Sequence, residues 1–154
     1  KFPEQKRVFS MIPALRNAEF VRYGVMHRNT FLHSPDLLDC FYADRRNPLV
    51  AFAGQMTGVE GYVESTASGF LAAVAMAFKV RGLPPVEFPR ETAIGALGMY
   101  VSDESIGEFQ PMNINFGIIS PLGYRVKGGK RNKNTELSRR SLEIIDHLRE
   151  EVLR

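Results

Sequence analysis

The sequence predicts an α/β fold, and three observations carry that expectation. A short apolar run, Leu49–Ala53, has the composition of a buried parallel strand. Gly54, Gly58 and Gly61 punctuate the turn that follows it. From about Tyr62 to Arg81 the chain is rich in Ala and Leu, reads as a helix, and stops at Gly82 before Pro84-Pro85.

The other elements follow in order. Glu4–Ile12 reads as a short helix ending before Pro13, because the residue before proline disfavours helix. Glu19–Tyr23 alternates polar and apolar residues like a strand, Gly24 breaks it, and Val25–Phe31 continues in extended form. Leu37–Tyr42 is a further strand candidate, and Ala43–Pro48 is turn material. Thr92–Ser102 suits a shorter helix and Gln110–Leu122 an ordered loop. Thr135–Leu153 is an amphipathic helix, with Leu137, Ser141, Ile144, Ile145, Leu148 and Val152 on one stripe. Three regions result: 1–48, strands and loops; 49–82, the strand–turn–helix unit; and 83–154, helices and loops.

With 154 residues, 44% hydrophobic and 24% charged, the chain has globular composition. A net charge of +3 permits an RNA partner without requiring one. The single cysteine, Cys40, excludes an internal disulfide and suggests a cytoplasmic protein. It falls in a strand candidate and reads as an inert, buried thiol. The longest apolar run, Phe70–Phe78, has nine residues, against the roughly 20 that span a bilayer, so no membrane partner is expected. No metal-ligand spacing is evident.

A glycine turn opening a helix offers free backbone N–H groups at a partially positive end, a place for negative charge. Gly61, Ser65, Ser68, Gly69, Ala72, Ala73 and Met76 form a small-residue face for close packing on a sheet. Neither Gly-x-Gly-x-x-Gly nor a Walker pattern occurs, so the turn does not suit pyrophosphate. It suits the pyrimidine end of a reduced flavin better. From the residues alone, a simple tight connection between strand and helix stays equally open.

The stretch Phe52–Ser65 resembles the flavin-contacting segment of the GidA-related tRNA-modifying flavoproteins, and within them the folate-dependent branch. The same resemblance is carried by Glu4–Phe9, by Ala18–Phe31 with its Tyr23-Gly24-Val25-Met26-His27-Arg28-Asn29-Thr30-Phe31, and by Phe109–Gly117, all in the family's order. It implies the C-terminal portion of a Rossmann-like, glutathione-reductase-type FAD-binding fold with added helices. The implied reaction is C5 methylation of the tRNA T-loop uridine to ribothymidine. Methylenetetrahydrofolate would be the carbon donor, reduced FAD the electron source and NAD(P)H the reductant. The family's dinucleotide fingerprint and catalytic cysteines fall outside this stretch. No catalytic residue is therefore expected here, and the chain by itself is expected to be inactive.

The resemblance places Gly54, Gln55, Gly58, Glu60, Gly61 and Tyr62 at the cofactor and His27 against the folate pterin, with Arg28 and Asn29 as hydrogen-bonding neighbours. Without it, His27 reads as a structural histidine. Ala14 and His33 depart from the family's usual glycine and asparagine, at positions peripheral to the chemistry.

Arg125, Lys127, Lys130, Arg131 and Lys133 put five positive charges in nine residues, followed by Arg139 and Arg140. They form either a tRNA phosphate surface or a solvated loop before the last helix. No aromatic stands among the five charges, which argues against base stacking there. The expected partners are tRNA and the N-terminal part of the same enzyme, with self-association through an unpaired sheet edge. Two alternatives stand beside this reading: a wobble-uridine-modifying relative and a non-catalytic RNA-binding module.

Overall fold

A computed structural model describes residues 2–21, 23–24 and 30–152. Five α-helices are described: α1 (Phe2–Phe9), α2 (Ser34–Leu37), α3 (Tyr62–Val80), α4 (Ala93–Val101) and α5 (Gly129–Val152). Two 3-10 turns, Pro13–Leu15 and Gly54–Thr57, complete the order.

Helix α3 forms where the Ala/Leu-rich run predicts it. It closes in a Schellman arrangement: Gly82, in the left-handed region at φ 71°, donates its N–H to the Lys79 carbonyl, and Leu83 donates to Phe78. Helix α4 starts at Thr92, whose hydroxyl accepts the Gly95 N–H at 3.1 Å and donates to the Pro89 carbonyl at 2.8 Å. The two helices share the main core, in which Tyr42, Val59, Leu71, Ala72, Leu97, Val101 and Phe109 cluster. Glycine on α4 lets the backbone come close: a Cβ at Gly98 would meet the Cys40 carbonyl, and one at Gly95 the carbonyls of Phe88 and Pro89. Cys40 is half-buried, and burial, followed by the charge of Asp39, pushes its thiol pKa up.

The strand expectations are not met. Among the described residues, β-pairing is limited to isolated bridges, Leu38 with Asp44, Ala43 with Ala51 and, in parallel sense, Val59 with Met112. Leu37 ends α2. Beyond it the Asp39 carboxylate accepts the N–H groups of Phe41 and Ala43, each at 2.9 Å, and folds Leu38–Tyr42 into a turn. Tyr42 sits in the left-handed region at φ 64°, an unusual place for a bulky residue, with its ring fully in the core. Burial raises its pKa. The Leu49–Ala53 run is not a buried parallel strand: Leu49 and Val50 are exposed, and Phe52 donates to the Tyr42 carbonyl in an antiparallel sense. A parallel strand needs a parallel partner, and among the described residues this run pairs with residues 42–44 in antiparallel sense.

Of the Glu19–Tyr23 strand, Arg22 lies outside the described residues. The rest is irregular, held by Phe20 stacking between Phe9 and Tyr23 at 5.4 and 5.2 Å. The helix expected over Glu4–Ile12 runs instead from Phe2 to Phe9, and turns lead from it into Pro13–Leu15.

Helix α5 begins six residues earlier than its apolar stripe suggests. Leu137 is buried with Ala96 and Ile119, while Ser141, Ile144, Ile145 and Leu148 are half-buried. Arg140 fastens the helix through hydrogen bonds to the carbonyls of Ser120 and Pro121. The side chain of Val152 lies outside the described residues.

Candidate functional site

Main-chain geometry first defines the turn before α3. Gly54, Gly58 and Gly61 have φ of 74°, 85° and 99°, conformations open to glycine and strained for other residues. The stretch between the first two closes as a 3-10 turn, with the Thr57 hydroxyl donating to the Gly54 carbonyl at 2.8 Å. The Ser68 hydroxyl of α3 reaches back to accept the Gly54 N–H, also at 2.8 Å.

Two segments distant in sequence meet on this turn. Met112 pairs with it on both sides: its N–H donates to the Gly58 carbonyl at 3.1 Å, and its carbonyl accepts the Glu60 N–H at 3.0 Å. Asn113 donates to the Glu60 carbonyl at 2.9 Å, and Ile114 donates to the Glu64 carboxylate at 3.2 Å. From the other direction, Leu32 donates to the Met56 carbonyl, and the buried Ser34 hydroxyl donates to that of Thr57, both at 2.8 Å. Phe31 and His33 meet the Phe109 ring edge-on at 6.2 and 6.0 Å. His33 is also 2.9 Å from Asp36, an ion pair when the imidazole is protonated. The Gly54–Tyr62 and Phe109–Gly117 segments are thus one structural unit.

Each glycine meets different protein atoms. A Cβ at Gly58 would overlap the Phe109 ring, and one at Gly61 would overlap Glu64 and Asn113. Both make room for protein atoms, whereas a Cβ at Gly54 would only touch Ser65. What the turn offers outward is different. Gly61 caps α3 without a side-chain acceptor, so the first-turn N–H groups of Tyr62 and Val63 have no partner within the helix. The side chains of Gln55 and Tyr62 are exposed. Glu60 is half-buried and its N–H is taken by Met112.

His27, Arg28 and Asn29 lie outside the described residues. Among the described residues no group of three His, Cys, Asp or Glu could hold a metal ion.

The basic cluster is a helix start as well as a loop. Lys130, Arg131 and Lys133 lie on the first turns of α5, and Arg125 and Lys127 on the segment leading in. All five are exposed, and among the described residues none makes an ion pair. Arg139 and Arg140 are committed elsewhere. Arg139 pairs with Glu136 at 2.9 Å and Glu143 at 2.5 Å, and Arg140 holds the two carbonyls named above. The fold also brings aromatics to the charges. Phe116 lines a cleft with Lys130, Arg131, Asn134, Thr135 and Ser138. Tyr124 lines a second with Arg125, Lys127, Lys130 and Lys133. Tyr124 directly precedes Arg125, so the sequence held a signal for it. Phe116 is fourteen positions before Lys130, and only the fold joins them.

A glycine turn locked to a second segment thus opens a long apolar helix, and a separate basic surface stands at the start of α5. The family model for glucose inhibited division protein A matches residues 1–84, and the chain belongs to that family. It is 57% identical, over 94% of its length, to the methylenetetrahydrofolate–tRNA-(uracil-5-)-methyltransferase TrmFO of Acetivibrio thermocellus. The proteins of the same name from Heliobacterium modesticaldum and Lactiplantibacillus plantarum are 54% and 52% identical over 99% of the chain. The chain spans about a third of the length of these relatives, between 33% and 35%.

Proposed function

We propose that this chain is the flavin-side, C-terminal part of a folate- and FAD-dependent tRNA methyltransferase acting on carbon 5 of the T-loop uridine. The observation that carries the reading is the meeting of Gly54–Tyr62 with Phe109–Gly117 at the start of α3, since both segments bear the resemblance to the folate branch. High identity to relatives of that name over nearly the whole chain supports it.

The residues present fit a flavin. The N–H groups of Tyr62 and Val63, without a side-chain cap among the described residues, stand at the positive end of a 19-residue helix, and Glu64 of the same first turn is taken up by Ile114 and Asn113. Reduced FAD held there would supply the electrons that leave the folate one-carbon unit as a methyl group, with NAD(P)H as its reductant. The turn's role is to hold negative charge at the pyrimidine edge with fixed dipoles, which need no reorganisation during reaction. Gly58, Gly61 and Glu60 set the shape of the turn, and Gly54 lets it close on Ser68.

His27 is assigned to the folate pterin, with Arg28 and Asn29 as its polar neighbours. Leu32, five residues on, is hydrogen-bonded to Met56 of the turn, which supports a folate position beside the flavin. The nucleophilic chemistry belongs to the part of the relatives outside this chain. Arg125, Lys127, Lys130, Arg131 and Lys133 are assigned to tRNA phosphates in a cytoplasmic enzyme.

The test grafts this chain in place of the matching third of the Acetivibrio thermocellus relative. Supplied with flavin reductant, carbon-labelled methylenetetrahydrofolate and unmodified tRNA, the hybrid should label the T-loop uridine, and labelled S-adenosylmethionine should not. A folded, flavin-loaded hybrid that transfers no label from folate would overturn the assignment and favour the wobble-uridine relative or a non-catalytic role.

A further inference from the structure

The two aromatic clefts at the start of α5 are more than a charged surface needs. Phosphate attraction alone requires cations, which any solvated loop can present. Here the fold adds a ring to each side of one lysine. Phe116 sits on the tip of a tight turn in which the Asn115 side chain accepts the Gly117 N–H at 2.8 Å, and its ring is 42% exposed. Tyr124 is 58% exposed, and its hydroxyl donates to Glu136 at 3.4 Å. Lys130 lines both clefts, whose volumes are about 540 and 800 Å³.

The electrostatics favour a polyanion. Among the described residues, no carboxylate lines either cleft. Glu136, whose carboxylate accepts the Tyr124 hydroxyl, is paired with Arg139. Asn134, Thr135 and Ser138 add amide and hydroxyl groups on the Phe116 side, suited to base edges or ribose hydroxyls. An exposed ring beside a cation is the recurring platform for an unstacked base, and a helical RNA duplex has no free base face to offer it.

We propose that the start of α5 seats unpaired nucleotides of an RNA loop, with bases on Phe116 and Tyr124 and the backbone between them against Lys130. This rests on the reading of the basic cluster as a tRNA surface, and specifies that the surface takes looped nucleotides rather than duplex. Met112 is bonded to the glycine turn, and Phe116 is four residues further on. Four residues reach at most about 14 Å, so the base seat and the flavin-side turn lie at the two ends of one short segment.

The test measures binding of the full chain to a fluorescent RNA hairpin with a T-arm sequence, and to a blunt duplex of the same stem. Phe116→Ala and Tyr124→Ala should each weaken hairpin binding about tenfold, leaving duplex binding and the salt slope unchanged. Phe116→Tyr should bind like the parent. Lys130→Gln should weaken both RNAs and reduce the salt slope by about one. With 5-bromouridine in the loop, light should crosslink the parent chain at Phe116 or Tyr124, a readout independent of any variant's folding.

If the alanine variants bind the hairpin as the parent does while Lys130→Gln weakens both RNAs, the base seat is wrong and the phosphate surface stands. If the crosslinks map away from both rings, the base seat is also wrong. If the parent binds neither RNA, the tRNA surface itself falls.

Discussion

Helices α3 and α5 are the two long helices described, with 19 and 24 residues, and their outward faces are opposites. Tyr62, Val63, Thr66, Phe70, Ala73, Ala77 and Val80 form one exposed stripe of α3 without a charge. Tyr62 is 92% exposed, Val63 78% and Phe70 56%. Beyond Gly129, the exposed described positions of α5 are Lys, Arg, Asn, Thr, Ser, Glu, Asp and His, with Leu142 the apolar exception. By length and composition alone α3 could cross a membrane. Its other side, however, carries Ser68, Leu71, Ala72 and Ala75 into the core. With Lys79 the one exposed charge on α3, its uncharged outer stripe is a surface suited to being covered. Helix α5, anchored by Leu137 and Arg140, is built to keep one face in water or against a polyanion.

That contrast can be broken at several points. The largest effect is expected at the α3–α4 contact, where Leu71→Ala should cost about 3 kcal/mol in urea unfolding. A loss under about 1 kcal/mol would mean that α3 is not held by this core. Gly58→Ala, which combines left-handed strain with overlap of the Phe109 ring, should cost about 2 kcal/mol and loosen the Met112 pairing. Unchanged hydrogen exchange at Met112 would contradict the locked turn. Next comes association. If the α3 stripe is a surface awaiting cover, the chain should sediment as a concentration-dependent oligomer and Phe70→Glu should shift it toward monomer. A parent chain monomeric at all concentrations would remove that reading. Smallest of all, Arg139→Gln should leave the melting temperature unchanged, since its partners Glu136 and Glu143 are surface pairs on one helix.

Helices α3, α4 and α5 were legible because their signals are local: Gly82 after the Ala/Leu run, Thr92 before α4, and the apolar stripe of α5; α2 was not, and Leu37 was read into a strand. The strands were not, because a strand exists through its partners, and Asp39 turns the chain before Leu38–Tyr42 can extend. The site divides the same way. The glycines of the turn stand out in the sequence, but what they admit does not. Phe109 and Asn113, some fifty residues on, fill the space at Gly58 and Gly61. The basic run is plain to see, whereas its continuation into α5 and the arrival of Phe116 depend on long-range packing. Arg139 and Arg140 look like further phosphate contacts until the structure shows Glu136, Glu143 and two carbonyls already holding them.

The central claim is that the turn before α3, locked to Phe109–Gly117, faces the flavin. Hydrogen exchange on the grafted hybrid, with and without FAD, tests it directly. FAD should slow exchange at the amides of residues 54–64, most at Tyr62 and Val63. Protection confined to other regions, with 54–64 exchanging as in the flavin-free protein, would contradict it.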